Sequence, residues 1–458
     1  MVNSKKKRYI DFSKLDNNIL NMNPINCITL ILTLFTVTIF SQGLDTDRLN
    51  VYFDSLEKYN KFMGSVSLLI GDNIVYTKQS GYSDVGSLIR PNDSTKYRIG
   101  SISKTFTATL IFQAIDDNKL TLDKSINKWF PKIENSKNIT IENLLNHSSG
   151  IHNFTNDIEY QSYYTQFKSE KEMLEIISKA GSDFEPGSIA VYSNSNYVLL
   201  SYILEKIYKK SYSQLLNDQI LDNLDLTNTF YGQEIKPDNN ECYSYSLYEE
   251  WEKQPETDLS IPMGAGAIVS TPTELNLFAK ALFNGELISK KSLEKMKRIS
   301  SGFGMGIFKI PFQNHTSFGH NGGIDGFSSS FGYFPKEKYG FSLISNGSNY
   351  DNNKIVLTLL KCLFKEPFEI PAFVLLTSNQ LNEYIGVYSS PEFPLKITIS
   401  KKGASLKAQA TGQGEIPLEP TEQHVFTFDP ASIEMKFNPL NNEMTLKQGA
   451  GEYILKKE

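Results

Sequence analysis

The hydrophobic pattern of this chain changes period twice, and that change narrows its fold more than any single motif. Between residues 64 and 76 the apolar side chains alternate: Val66, Leu68 and Ile70, then Ile74 and Tyr76 across Gly71-Asp72-Asn73. Alternation places one face of a strand against a core, and the Gly-Asp-Asn step suits the turn of a β-hairpin. After Ser101 the period becomes helical, with Phe106, Leu110, Ala114 and Ile115 on one face. Helices are also predicted over 197–209 and 213–221. Thr271-Pro272-Thr273-Glu274 has the form of a capping box with proline in the first turn, opening a helix that Asn284-Gly285 ends. Strand patterning returns over 318–323, 326–334 and, past a Pro-Lys-Glu-Lys turn, 340–345. Strands at both ends of a helical middle predict an α+β domain whose sheet is largely antiparallel.

Beyond residue 379 alternation takes over completely. Leu395/Ile397/Ile399, Leu406/Ala408, Ile416/Leu418, Ile433/Met435/Phe437, Met444/Leu446 and Tyr453/Leu455 are separated by short turn-rich intervals. They predict a small all-β, barrel-like domain over 379–458. Residues 366–378, with two prolines, read as its linker to a main domain over 48–365.

The first 43 residues differ from both. Lys5, Lys6, Lys7, Arg8 and Lys14 precede an apolar run from Ile25 to Phe40, followed by small residues at Ser41-Gln42-Gly43. That is the layout of a secretory signal, and the run is short for a membrane span of about 20 residues. We expect an exported protein, periplasmic or secreted, with an uncleaved anchor at 25–40 as the alternative. Membrane contact is expected only through this segment. Removing it takes away five basic side chains against two acidic ones, so a chain of net charge −5 becomes more acidic. With no basic stripe interleaved with aromatics, nucleic acid is not an expected partner. Export would leave Cys242 and Cys362, which read as two buried thiols rather than a disulfide framework.

Within the helical onset lies Arg98-Ile-Gly-Ser-Ile-Ser-Lys-Thr-Phe-Thr. Ser101 and Lys104 stand three apart, on one helix face, so the amine can reach the hydroxyl and activate it as a nucleophile. The tetrad recurs: S-x-x-K also begins at Ser4, Ser55, Ser125 and Ser292. Two later segments single out Ser101. Tyr192-Ser193-Asn194 precedes a helix and offers a phenol that can shuttle protons if a neighbouring ammonium lowers its pKa. Its Asn194 amide suits a substrate amide or the orientation of Lys104. Gly319-His320-Asn321-Gly322-Gly323 reads as a strand edge open to substrate, where the N–H of Gly323 with that of Ser101 forms a candidate oxyanion hole.

These three segments, in this order, resemble the serine β-lactamase-related family of class C β-lactamases, D-alanyl-D-alanine carboxypeptidases, penicillin-binding proteins, D-aminopeptidases and esterases. Leu144-Leu-Asn-His-Ser-Ser-Gly-Ile151, Phe303-Gly-Met-Gly306 and Gly322-Gly-Ile-Asp-Gly-Phe327 add to the likeness. The resemblance implies an α/β sandwich, an antiparallel sheet flanked by helices plus a helical subdomain. It also implies Ser101 as acyl-accepting nucleophile, Lys104 as its activator, Tyr192 as proton shuttle, and Asn194, His320, Gly322 and Gly323 as substrate or oxyanion contacts. His320 stands where many penicillin-interactive members carry the lysine of Lys-Thr-Gly. A histidine is cationic only near or below a pKa of about 6.5, which weakens the case for β-lactam turnover.

The expected function is therefore an exported serine hydrolase acting through an acyl-enzyme on a peptide, amide or ester, with cell-wall peptide among the candidates. A short-chain esterase and a penicillin- or peptide-binding sensor with little turnover are the alternatives. No G-x-S-x-G elbow supports an α/β-hydrolase. No cofactor fingerprint is present, and His147 and His152 lack the spacing of a metal site, so they read as parts of a scaffold turn. The segment from Tyr243 to Trp251 reads as a solvated loop, with the lining of a substrate cleft as its alternative.

Overall fold

A computed structural model describes residues 43–458, apart from 249, 375, 404, 429, 430 and 450. The expected leader or anchor at the N-terminus lies almost wholly outside the described residues. Helix α1 (Thr46–Lys58) opens this part of the chain, burying Leu49, Tyr52, Phe53 and Leu56 along one stripe. The hairpin follows as β1 (Phe62–Ile70) and β2 (Asn73–Ser80). The chain then leaves the sheet for helices α2 (Ser103–Asp116), α3 (Glu170–Ala180), α4 (Asn194–Tyr208) and α5 (Pro272–Asn284). It returns through β3 (Phe308–Phe312), β4 (His315–Ile324), β5 (Phe327–Phe334) and β6 (Tyr339–Ser348), and α6 (Asn352–Leu363) completes this region.

The sheet has the order β2-β1-β6-β5-β4-β3, and every neighbouring pair is antiparallel. Its strands close a loop of more than two hundred residues by pairing β1 directly with β6, Leu68 opposite Phe341 and Leu69 opposite Gly340. Leu69, Phe331, Tyr333 and Ile344 belong to the large core shared with α2, α4 and α5. The alternate positions, Val66, Leu68, Phe341 and Leu343, are equally buried and face the side where α1 and α6 pack. Helix α5 lies on the first face, where the Asn276 amide accepts from Ser342 Oγ at 2.9 Å and donates to the Ser67 carbonyl at 3.0 Å. Thr271 caps α5 as expected, accepting from Glu274 N, and Gly285 ends it in the left-handed region. The box is only half formed. Instead of turning back to the cap, the Glu274 carboxylate accepts from Asn228 and Thr229.

The segment from Tyr243 to Trp251 is not a simple loop. It includes a strand at Tyr245–Leu247 that pairs with Trp251–Lys253, and Tyr245 is buried. A hydrogen bond from Tyr245 Oη accepting Val85 N and the packing of Trp251 against Gly347 fix it to the sheet.

The C-terminal region is a closed barrel of eight strands: β7 (Gly386–Ser390), β8 (Phe393–Lys402), β9 (Ser405–Ala410), β10 (Ile416–Glu422), β11 (Val425–Phe428), β12 (Ile433–Asn438), β13 (Glu443–Gln448) and β14 (Gly451–Lys457). Each strand pairs with the next, and β7 pairs with β14 to close the ring. The alternating residues Ile397, Ile399, Leu406, Leu418, Met435, Phe437, Met444 and Leu455 point inward together with Tyr384, Tyr388 and Phe426. Closure leaves no unpaired strand edge, which explains how so small a sheet holds its shape. Cys242 and Cys362 are buried thiols.

Candidate active site

The site forms where α2 begins beside β4. Tyr97–Arg98 forms a short strand paired with Ile268–Ser270, and the chain then turns through a 3₁₀ segment, Gly100–Ile102, into α2. Gly100 takes φ of 51°, and a side chain there would fall 2.8 Å from the backbone of Gly323. Gly322 is equally tight, since a Cβ would meet the Ile99 carbonyl. Two glycines thus let β4 press against the turn that carries Ser101.

Lys104 extends back along the helix to Ser101, with Nζ 2.9 Å from Oγ. Its other two polar contacts are the Asn194 Oδ1 and the Ala265 carbonyl, each at 2.7 Å. The lysine is fully buried, and no carboxylate is among its contacts. Burial holds its pKa well below the ordinary lysine range. Asn194 Oδ1 and the Ala265 carbonyl can only accept, so two N–H groups of Lys104 go to them, and in the neutral amine the remaining lone pair faces the Ser101 hydroxyl.

Asn194 begins α4 and is held from several sides. Its Nδ2 donates to Thr155 Oγ1 at 3.0 Å, and its backbone N–H donates to Asn153 Oδ1 at 2.9 Å. Tyr192 lies over the amine, with Lys104 Nζ 4.9 Å from its ring centroid. Here the structure corrects the expectation of an ammonium-lowered phenol. Burial raises the Tyr192 pKa, and the bond to Ser101 only partly opposes it. Burial disfavours the charged form of both groups, the phenolate and the neighbouring ammonium.

His320, on β4 opposite Phe331, is buried. Its Nδ1 lies 2.5 Å from the Asn321 carbonyl, so the proton sits on Nδ1 and Nε2 keeps a lone pair. Desolvation by burial is the main cause that lowers its pKa, to about 3. The third motif is therefore neutral, further from a lysine than its residue type alone implies. His147, expected in a scaffold turn, lines the same region: its ring centroid is 4.4 Å from that of Tyr192, and its Nδ1 accepts from Ser193 N at 3.2 Å. Burial keeps its pKa well below the ordinary histidine value as well. His152 does stay outside, between Asp183 at 2.8 Å and Asp157 at 3.2 Å.

A cavity of about 470 Å³ opens onto Ser101. Phe154, Tyr160, Tyr164 and Phe327 give it aromatic walls, and Thr155, Asn194, Gln254 and Thr257 supply neutral polar groups. Among the described residues Asp325 is the one charged residue in its lining, with its carboxylate bound to Arg98 at 2.9 Å, and none of them that lines it is lysine, arginine or histidine. Among the described residues no cluster of three or more His, Cys, Asp or Glu could hold a metal.

Several of these residues carried no signal in the sequence. Ala265 acts through its carbonyl, which any residue possesses. Asn153 and Thr155 follow the quoted Leu144–Ile151 stretch but have no motif of their own, and Arg98 and Asp325 lie inside quoted motifs without an assigned role.

The Beta-lactamase family matches residues 54–360. A teichoic acid D-alanine hydrolase of Staphylococcus aureus is 25% identical over 298 residues, 63% of this chain and 72% of that protein. The crystal structure of the D-amino acid amidase of Ochrobactrum anthropi SV3, complexed with L-phenylalanine amide, superimposes with a TM-score of 0.61 at 26% identity, covering 70% of this chain and 99% of the amidase. The octameric penicillin-binding protein homologue of Pyrococcus abyssi shares the fold over 90% of this chain and 100% of its own, with a TM-score of 0.66 at 24% identity.

Proposed function

The chain belongs to the Beta-lactamase family and is a serine hydrolase, and from that premise we propose that it cleaves D-aminoacyl amides or esters through an acyl-enzyme on Ser101. The observation that carries this reading is the buried, carboxylate-free Lys104 held 2.9 Å from the Ser101 hydroxyl. Neutral Lys104 takes the proton from Oγ as Oγ bonds to the acyl carbon. The resulting oxyanion is stabilised by the N–H groups of Ser101 and Gly323. The bond to the leaving nitrogen or oxygen then breaks, and that atom takes a proton relayed from Lys104 through the Tyr192 phenol, which keeps its own proton at neutral pH. Water attacks the acyl-enzyme by the reverse relay and releases the acid and Ser101.

The D-aminoacyl part of the proposal draws on the relatives named above. The cavity supports it from the other side. A substrate recognised through a free carboxylate, as a penicillin is, finds no cationic side chain in the cavity lining and a neutral imidazole at His320. We place the reaction outside the cytoplasm on the layout of residues 1–43, and N-terminal sequencing of the mature protein tests that point.

The test of function is mass spectrometry after treatment with a fluorophosphonate, together with turnover of D-alanine 4-nitroanilide, D-alanine methyl ester, their L-isomers and a fluorescent penicillin. We expect an adduct on Ser101 that is lost in Ser101→Ala, and turnover of D-substrates ahead of L-substrates. Stable penicillin labelling without turnover would instead mean a penicillin-binding protein.

A further inference from the structure

The two donors of the oxyanion hole come from segments more than two hundred residues apart. Ser101 follows the short strand Tyr97–Arg98, and Gly323 is the last residue but one of β4, just before the turn into β5. Their amides must both lie within about 3 Å of one oxygen, so the relative position of these segments matters to the reaction. Beside the close backbone packing of Gly100 and Gly322, several of the contacts that fix it converge on one side chain.

Arg98 is almost fully buried. Its Nη1 donates to Asp325 Oδ2 at 2.9 Å and to the Thr257 carbonyl at 2.8 Å. Its Nη2 donates to the Gln233 carbonyl at 2.9 Å and to Glu256 Oε2 at 3.1 Å. The second oxygen of Asp325 is filled by Thr257, whose N–H and Oγ1 donate to it at 2.8 and 2.7 Å. Asp325 stands two residues after Gly323, in the left-handed region at φ of 53°. Arg98 stands three residues before Ser101. Thr257 lines the reactive cavity.

We propose that Arg98 is a positioning residue: paired with Asp325, it sets the Ser101 and Gly323 amides against each other and fixes Thr257 in the cavity wall. The inference rests on the reading of Ser101 as nucleophile. The planar fork of the guanidinium is suited to this task, because each of its two terminal nitrogens binds two acceptors on different chain segments. A neutral packing residue would fill the space without fixing direction. Asn in place of Asp325 retains the shape and an acceptor for Thr257 but leaves the arginine charge without its nearest counter-charge. Small displacements of reacting groups are costly, with about 1 Å worth roughly 100-fold in rate.

The test compares wild type with Asp325→Asn and Arg98→Met, using the full chain well below each variant's melting temperature. It reads kcat and KM on D-alanine 4-nitroanilide and the affinity for phenylboronic acid, whose tetrahedral adduct on Ser101 occupies the oxyanion hole. We expect kcat to fall about 10- to 100-fold with KM within about threefold, and boronate affinity to fall in parallel. Asp325→Asn carries the test alone should Arg98→Met not fold. A folded variant with wild-type kcat, a change confined to KM, or a loss of kcat with unchanged boronate affinity would each overturn the proposal. Fluorophosphonate labelling separates the two levels of failure. An unlabelled wild type removes Ser101 as nucleophile, and the positioning role with it, whereas a labelled wild type with unimpaired variants removes only the role of Arg98.

Discussion

The open sheet and the barrel are both antiparallel, yet they bury their residues in opposite ways. The sheet is covered on both faces, so β1 is buried at eight of its nine positions. The barrel buries one face by closing on itself, and its strands alternate along most of their length, as in β8 and β14. The region around the sheet encloses Lys104, Arg98, His147 and His320. Among the described residues, the barrel strands bury no charged or amide side chain. Burying a polar or ionisable group is unfavourable unless its partners are all in place. The first region accepts that penalty and gains a base; the second has only packing to provide.

The sharpest way to break this comparison is to make the first region resemble the second. Lys104→Met replaces the buried amine with an apolar chain of similar volume. We expect kcat/KM on D-alanine 4-nitroanilide to fall by about 10²- to 10⁴-fold, the range that a general base contributes. The melting temperature should change little, because the lost desolvation penalty offsets the loss of a donor to Asn194 Oδ1 and the Ala265 carbonyl. Turnover and calorimetry on the same preparation check both halves. A variant that loses stability in step with activity would show that Lys104 serves the fold.

The converse variant lies in the barrel. Phe426 is fully buried, with ring centroids of Tyr384 and Phe437 at 5.0 and 5.5 Å. Phe426→Ala should destabilise the protein by about 3–5 kcal/mol in denaturant unfolding. Its kcat below the transition should stay at the wild-type value, which a turnover assay at 15 °C would show.

The same contrast explains what the sequence disclosed. The barrel was legible almost strand by strand because one face meets water. In the open sheet, strand β3 escaped notice: it is an edge strand with Lys309 and Pro311 at its exposed positions, and such a segment reads as a turn. Helix α1 was legible in principle, since Leu49, Tyr52, Phe53 and Leu56 follow helical spacing. At the site, the contact of Ser101 with Lys104 follows from local helix geometry and could be foreseen. Contacts with Ala265, Thr155 and His147 depend on tertiary packing, as does the sign of each pKa shift. Neighbouring charge alone predicts an acidic Tyr192, and only burial reverses it.

That reversal gives a pH signature. With neutral Lys104 as base, kcat/KM should rise with pH through the lowered lysine pKa. Neither imidazole should contribute a step near 6.5, since burial lowers the His320 pKa to about 3 and holds that of His147 well below its ordinary value. Stability has the matching sign. The unfolded imidazoles bind protons below about 6.5 while these two native ones do not, so their contribution is full above that pH and declines as pH falls toward 3. Urea midpoints between pH 7.5 and 4.5 should show that decline in wild type and a smaller one in His320→Asn. A bend near 6.5 in the kcat/KM profile that disappears in His320→Asn would mean that this imidazole titrates in the working site, whereas one that persists belongs to Lys104.

The smallest expected effect concerns the link between the two regions. Lys61, at the foot of β1, donates to Glu419 of β10 at 2.9 Å and lies 5.3 Å from the Phe373 ring. The partners are unequally buried, with 8% of the lysine side chain exposed against 34% of the glutamate. The two single variants should therefore differ. Lys61→Met leaves a carboxylate that water can reach and adds an apolar chain beside Phe373, so it should cost under about 0.5 kcal/mol. Glu419→Gln leaves a buried ammonium with a weaker acceptor, and should cost about 1 kcal/mol or more. Neither should change kcat. Equal losses in urea unfolding would mean that the pair acts as an exposed surface contact. A change in kcat in either variant would mean that the barrel communicates with the site through this bridge, and the separation between a region that reacts and a region that only packs would no longer hold.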